Sequence, residues 1–159
     1  MKVLVVVYSR SGNTRRLARE ISGNFDGDLE DLEDLKDRSG ILGYLRSGWD
    51  SFRGKETEIG SIKYDPSDYQ LVILGFPIWA GSIPPAIRTY LRKEGDKIDN
   101  LASFCTMKGS DPDKAYSEIN NILDTDSTYT LSVKEKNLEN DSYTEDLNNF
   151  LNNINDFVS

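Results

Sequence analysis

Six consecutive residues, Ser9-Arg10-Ser11-Gly12-Asn13-Thr14, hold the densest concentration of anion-binding groups in the chain. They combine three hydroxyls, a side-chain amide, a guanidinium and a row of backbone N–H groups. A loop of this composition at a helix start suits a phosphate, because the first N–H groups of a helix lack partners and its N-terminus carries partial positive charge. Gly12 lets the backbone wrap closely around the anion. Asn13 or Thr14 alone would read as an ordinary helix cap, but six such residues in succession point to phosphate. The run has neither a Gly-Lys-Ser sequence nor a three-glycine dinucleotide fingerprint, so the usual nucleotide loops do not account for it.

Other chemistries are excluded by what the chain lacks. It has no histidine and a single cysteine, Cys105. That removes Ser-His-Asp and Cys-His nucleophiles, intrachain disulfides, cysteine zinc sites and most transition-metal sites, and no metal is expected. Cys105 itself reads as a structural thiol at an apolar strand end. Chemistry must come from carboxylates, hydroxyls, lysines or a cofactor.

The elements around the loop follow from hydrophobic patterning. Lys2 to Tyr8 is a continuous β-branched and apolar run, the mark of a strand buried on both faces. After the loop, Leu17, Ala18, Ile21 and Phe25 recur at helical spacing from Thr14 onward. Leu71 to Gly75 is a second buried strand ending in the loop from Phe76 to Ser82, and Pro84 and Pro85 open a helix bearing Ala86, Ile87, Tyr90 and Leu91. Leu101 to Thr106, a polar loop from Met107 to Pro112, and a helix with Ala115, Tyr116, Ile119, Ile122 and Leu123 repeat the pattern. Thr128 to Val133 reads as the last strand, and Leu147, Phe150, Leu151, Ile154 and Phe157 as the stripe of a C-terminal helix.

Two stretches are less regular. Leu29, Leu32 and Leu35 punctuate the acidic run from Asp26 to Asp37, which accommodates a short strand within a solvated surface, or alternatively a docking face for a basic partner. Ser39 to Lys55 reads as a loop leading into a short, glycine-interrupted helix. Its Tyr44, Trp49 and Phe52, with Arg38, Arg46 and Arg53 nearby, fit a helix covering the sheet; a wall over the ligand or a subunit contact is the alternative. Alternating strands and helices make one α/β domain over residues 1–159, doubly wound in three α/β/α layers around a parallel sheet of about five strands. Ligands of such sheets bind beyond the carboxyl ends of the strands.

From Tyr8 to Thr14 the sequence resembles the flavodoxin family, whose first loop reads Ser/Thr-x-Ser/Thr-Gly-Asn-Thr. Gly75-Phe76-Pro77-Ile78-Trp79-Ala80-Gly81 looks like the second flavin loop of the broader flavodoxin-like group, and Phe104 to Ser110 looks like the third. The resemblance spans nearly the whole chain. It implies a sheet of order 2-1-3-4-5 and one FMN, with phosphate at Ser9, Arg10, Ser11, Gly12, Asn13 and Thr14. It implies a flavin ring held between Pro77, Ile78, Trp79, Ala80 and Gly81 on one side and Thr106, Met107, Lys108 and Gly109 on the other. Trp79 suits stacking on a flavin face, Gly81 permits a peptide to turn its carbonyl toward flavin N5, and Lys108 can offset charge near flavin N1. Arg10 departs from the small or acidic residue of short electron-carrier flavodoxins.

Charge narrows the partners. Nineteen lysines and arginines against 27 aspartates and glutamates give a net charge of −8, which opposes nucleic acid and anionic membranes. The apolar start, Val3 to Val7, is too short for a signal peptide or a membrane span, and a cytoplasmic location is expected. The resemblance and the acidity together favour a low-potential electron carrier exchanging electrons with a basic redox partner or a small-molecule acceptor. An FMN-dependent NAD(P)H:quinone oxidoreductase of the same fold is the alternative. The first loop has no cysteine for a low-molecular-weight tyrosine phosphatase, and no aspartate follows the first strand as a response-regulator receiver requires.

Overall fold

The computed structural model describes residues 1–109, 111–125 and 129–158. Its centre is a sheet of five parallel strands, β1 (Val3–Val7), β2 (Asp28–Asp31), β3 (Leu71–Pro77), β4 (Leu101–Met107) and β5 (Tyr129–Lys134), in the order β2-β1-β3-β4-β5. This is the expected order. Thr128, expected at the start of β5, and Ser110, expected in the third loop, lie outside the described residues.

The continuous apolar runs are explained by what covers each face. Val3, Val5 and Val7 of β1 face helices α1 (Asn13–Phe25) and α6 (Thr144–Val158), packing with Leu17, Ala18 and Ile21 and with Leu147, Phe150 and Ile154. Leu4 and Val6 turn the other way, toward Ala86, Ile87 and Tyr90 of α3 (Pro85–Glu94) and Ala115 and Ile119 of α4 (Asp113–Leu123). Each face of β1 and β3 is thereby buried, which is why those strands show no alternation. A short helix, α5 (Glu135–Glu139), follows β5 directly.

Between β2 and β3 stands α2 (Gly40–Phe52), a continuous helix through Gly43 and Gly48. It does not cover the sheet with its rings. Its buried residues are Gly43, Ser47, Asp50 and Ser51, and neither hydrophobic cluster includes an apolar side chain from it. The acidic run is mostly exposed around the short strand β2, as expected, but several of its carboxylates also hold internal partners. Glu30 is buried and accepts from the N–H groups of Lys63 and Tyr64, Asp28 accepts from the Tyr69 hydroxyl, and Asp31 and Asp34 pair with Arg15 and Arg38. These carboxylates fasten the 55–70 segment and α1 around the short strand β2. Among the described residues, no helix is long and apolar enough to cross a membrane.

Candidate functional site

Parallel strands end together, so the segments after β1, β3 and β4 meet at one edge of the sheet. The first leaves β1 at Tyr8, turns through Ser9 to Gly12, and enters α1. Ser9 is buried and its hydroxyl accepts from the Gly12 N–H at 3.1 Å, tightening the turn. Gly12, the N-cap of α1, has a φ of 99°. No side chain caps this helix and no acidic residue stands in its first turn. Its leading N–H groups therefore offer themselves to an outside acceptor.

The second segment is a tight turn. The N–H groups and carbonyls of Trp79 and Ser82 pair reciprocally at 3.1 and 3.0 Å, and the two central residues, Ala80 and Gly81, have φ of 48° and 75°. Two successive positive φ values are the mark of a type I′ turn, where glycine is at ease and alanine is not. Trp79 is held half-buried between the edge of Tyr8, with centroids 5.4 Å apart, and the Arg38 guanidinium, 5.8 Å from its ring. The third segment presents Lys108, whose ammonium lies 5.4 Å from the Tyr44 ring of α2.

Together these segments and α2 enclose a cavity of about 530 Å³, within the range of small-molecule and cofactor sites. Of the residues predicted from sequence, Arg10, Ser11, Asn13, Pro77, Ile78, Trp79, Ala80 and Lys108 line it. Seven others stand back. Ser9 and Gly12 shape the first turn, and Gly81 shapes the second. Thr14 and Thr106 are buried and share a hydrogen bond of 2.7 Å that ties α1 to β4. Met107 is buried in the cluster on the α3 and α4 face, and Gly109 is exposed beyond Lys108. Arg10 neither points at the helix N-terminus nor floats free: it donates to the carbonyls of Arg38 and Gly40 and lies over Tyr44.

Sequence reasoning left open what α2 does, and it missed Glu135. Tyr44, Leu45, Ser47, Gly48, Trp49 and Phe52 form one wall of the cavity, and Glu135, at the start of α5, contributes a carboxylate. The helix is fixed from below by ions. Asp50 is 3% exposed and pairs with Lys36 and Arg38, while Arg38 also holds Asp34. Burial works against ionising Asp50, but the hydrogen bonds from Lys36 and Arg38 outweigh it and hold the carboxyl below the usual carboxylate range. At the other end, Arg88, 1% exposed, donates to the carbonyls of Ser51, Lys55 and Ile83 and pairs with Glu118.

Burial first, then the Asp34 carboxylate, push the Tyr8 phenol up to about 12 against the pull of nearby guanidinium groups. Burial raises the Cys105 thiol, which contacts the Tyr116 and Ser132 hydroxyls inside the α3 and α4 face, as expected of a structural cysteine. The edge thus gathers the uncapped N-terminus of α1, the half-buried ring of Trp79 and Lys108 around one cavity.

A 2-1-3-4-5 parallel sheet whose first loop closes on a helix N-terminus defines a flavodoxin-like fold. Solved structures share it. A flavoprotein from Lactobacillus acidophilus NCFM in complex with FMN superposes with a TM-score of 0.72 at 24% identity, over 87% of this chain and 97% of that one. A protein from Bacteroides uniformis ATCC 8492 gives 0.72 at 21% identity, over 87% and 96%. An NADPH-quinone reductase from P. pentosaceus gives 0.55 at 11% identity, over 95% of each chain. No protein-family model and no curated protein matches the sequence.

Proposed function

We propose that this chain binds one FMN at the edge described above and works as an electron-transfer protein. The observation that carries the reading is that the uncapped N-terminus of α1 opens, beside Ser11 and Asn13, on the same cavity that Trp79 and Lys108 line. Phosphate and ring positions are thus supplied together, and the fold is shared with a flavoprotein whose structure contains FMN. FMN supplies one- and two-electron chemistry that no side chain here provides.

The residues have distinct tasks. The first-turn N–H groups of α1 and the Ser11 hydroxyl hold the phosphate, and Ser9 and Gly12 keep the loop in shape. Arg10, committed to two carbonyls and Tyr44, joins the phosphate loop to α2 instead of neutralising the phosphate. Trp79 offers its ring for stacking, contributing on the order of 1 kcal/mol beyond burial. The Ala80–Gly81 peptide, exposed in its turn, presents a carbonyl to flavin N5, and Lys108 sits where it can offset negative charge on the ring. Thr106 and Met107 support this geometry from behind, while Gly109 stands exposed beyond Lys108.

One feature favours a second reading, an FMN-dependent NAD(P)H:quinone oxidoreductase. The wall of Tyr44, Leu45, Trp49 and Phe52 gives the cavity an apolar side on which a small aromatic acceptor could lie, and an NADPH-quinone reductase shares the fold. An anaerobic reductive titration, paired with an assay of NADPH oxidation in the presence of a quinone, separates the two. Two resolved one-electron steps without NADPH turnover are expected for the carrier. Rapid turnover in a single two-electron step would establish the reductase.

A further inference from the structure

Helix α2 is inverted. Small and polar residues face the protein, while Ile41, Leu42, Tyr44, Leu45, Trp49 and Phe52 are 51% to 83% exposed. Outside α2, the large hydrophobic residues exposed to a similar degree among the described residues are only Met1, Leu35 and Phe157, scattered singly. Scattered exposure is ordinary, but six such residues on one 13-residue helix form a patch that requires an occupant. A ligand in the cavity accounts for Tyr44, Leu45, Trp49 and Phe52. It does not account for Ile41 and Leu42, 81% and 83% exposed, which line no described cavity.

The rim of this patch has the opposite sign to the whole chain. Arg10 and Lys108 lie over Tyr44, Arg53 over Trp49 and Lys114 over Phe52, and Arg46 projects from the same helix into solvent. The one carboxylate on α2, Asp50, points inward and is neutralised by Lys36 and Arg38. At physiological salt, charges beyond about 8 Å are largely screened, so an approaching surface meets this local cationic rim and not the net −8. Of the seven carboxylates in the acidic run, Asp28, Glu30, Asp31 and Asp34 hold partners within the chain.

We propose that the α2 face is the docking surface for a partner protein that presents carboxylates around an apolar centre. The complementarity of the rim argues for this occupant. A second copy meeting the patch symmetrically would bring five cations against five, and an anionic membrane is the competing occupant that the vesicle measurement below separates. The patch adjoins the cavity, so the partner is one that exchanges electrons there; that clause rests on the FMN reading, whereas docking itself does not.

The test uses the full chain, with FMN content read separately from visible absorbance. The probe is a poly(Glu,Tyr) copolymer, followed through tryptophan emission, with poly-lysine as control. Binding of the copolymer and not of poly-lysine is expected, at least about tenfold weaker when NaCl rises from about 50 to about 500 mM. Arg46→Glu with Arg53→Glu and Lys114→Glu, all exposed and outside the cavity, should abolish it at unchanged FMN content. Ile41→Ser with Leu42→Ser should weaken it severalfold without altering the fold. Binding indifferent to the charge reversals would overturn the proposal. So would tighter binding to phosphatidylglycerol vesicles, or a dimer in sedimentation that the two serines dissolve. Loss of FMN with copolymer binding intact would strike the cofactor reading alone.

Discussion

The inversion of α2 makes the same substitution act in opposite directions at two points of one helix. A Cβ at Gly43 would stand 2.2 Å from the Arg38 carbonyl carbon and 2.3 Å from its oxygen, both backbone atoms, whereas one at Gly48 would meet nothing within 4 Å. Alanine at either site gains about 1 kcal/mol of helix propensity. At Gly43 it also incurs an overpacking cost of about 3 kcal/mol, the upper end of the usual range because backbone must move. Gly43→Ala should therefore destabilise by about 2 kcal/mol and Gly48→Ala stabilise by about 1 kcal/mol. With a urea slope of about 2 kcal/mol/M, the two unfolding midpoints should lie about 1.5 M apart on either side of the parent. Urea titration of the flavin-free proteins by circular dichroism reads this. Midpoints that move together, or a Gly43→Ala variant as stable as the parent, would refute the close approach of α2 to residue 38.

Three further outcomes follow from the site. Thr14→Val or Thr106→Val alone strands a buried hydroxyl and should cost about 1–3 kcal/mol, while the double variant should recover much of the loss; a thermal-melt double-mutant cycle measures the coupling. Asp50→Asn removes a carboxylate whose depressed pKa stabilises the fold. That contribution is complete well above the unfolded-state carboxylate value of about 3.9 and is lost as pH falls through the lower folded value, so the variant should be less stable at pH 7 and show a shallower acid limb in pH-dependent melts. Gly81→Pro cannot hold a φ of 75°, so it should undo the 79–82 turn and merge the two one-electron steps of a flavin redox titration at little cost to global stability.

How much of this was legible in the sequence depends on how far apart the determining contacts lie. Strands β1 and β3 were readable because both faces are covered, leaving uninterrupted apolar runs, and the loop from Ser9 to Thr14 because six adjacent residues carry its chemistry. Helix α2 was not. Ile41, Tyr44, Leu45, Trp49 and Phe52 follow helical spacing, and periodicity says which residues share a face without saying which way it looks. Its direction is set by Arg38 under Asp50 and by Arg88, which reaches back 37 residues to the Ser51 carbonyl. Thr14 and Thr106, both read as ligand residues, are joined across 92 residues, a pairing no local pattern reveals. The acidic run is mostly exposed, as its composition suggests, but the bonds of Glu30 and Asp28 to Lys63, Tyr64 and Tyr69 were hidden because those partners come from a distant segment.

In the proposed FMN site the end of α1 takes the phosphate and the neighbouring loops take the flavin ring. Titrating the flavin-free protein with FMN and with riboflavin, by quenching of flavin fluorescence, tests both halves at once. One FMN per chain is expected, with riboflavin bound at least about a hundredfold more weakly, since the phosphate adds several charge-assisted hydrogen bonds. Equal affinity for the two flavins, or no binding of either, would contradict it.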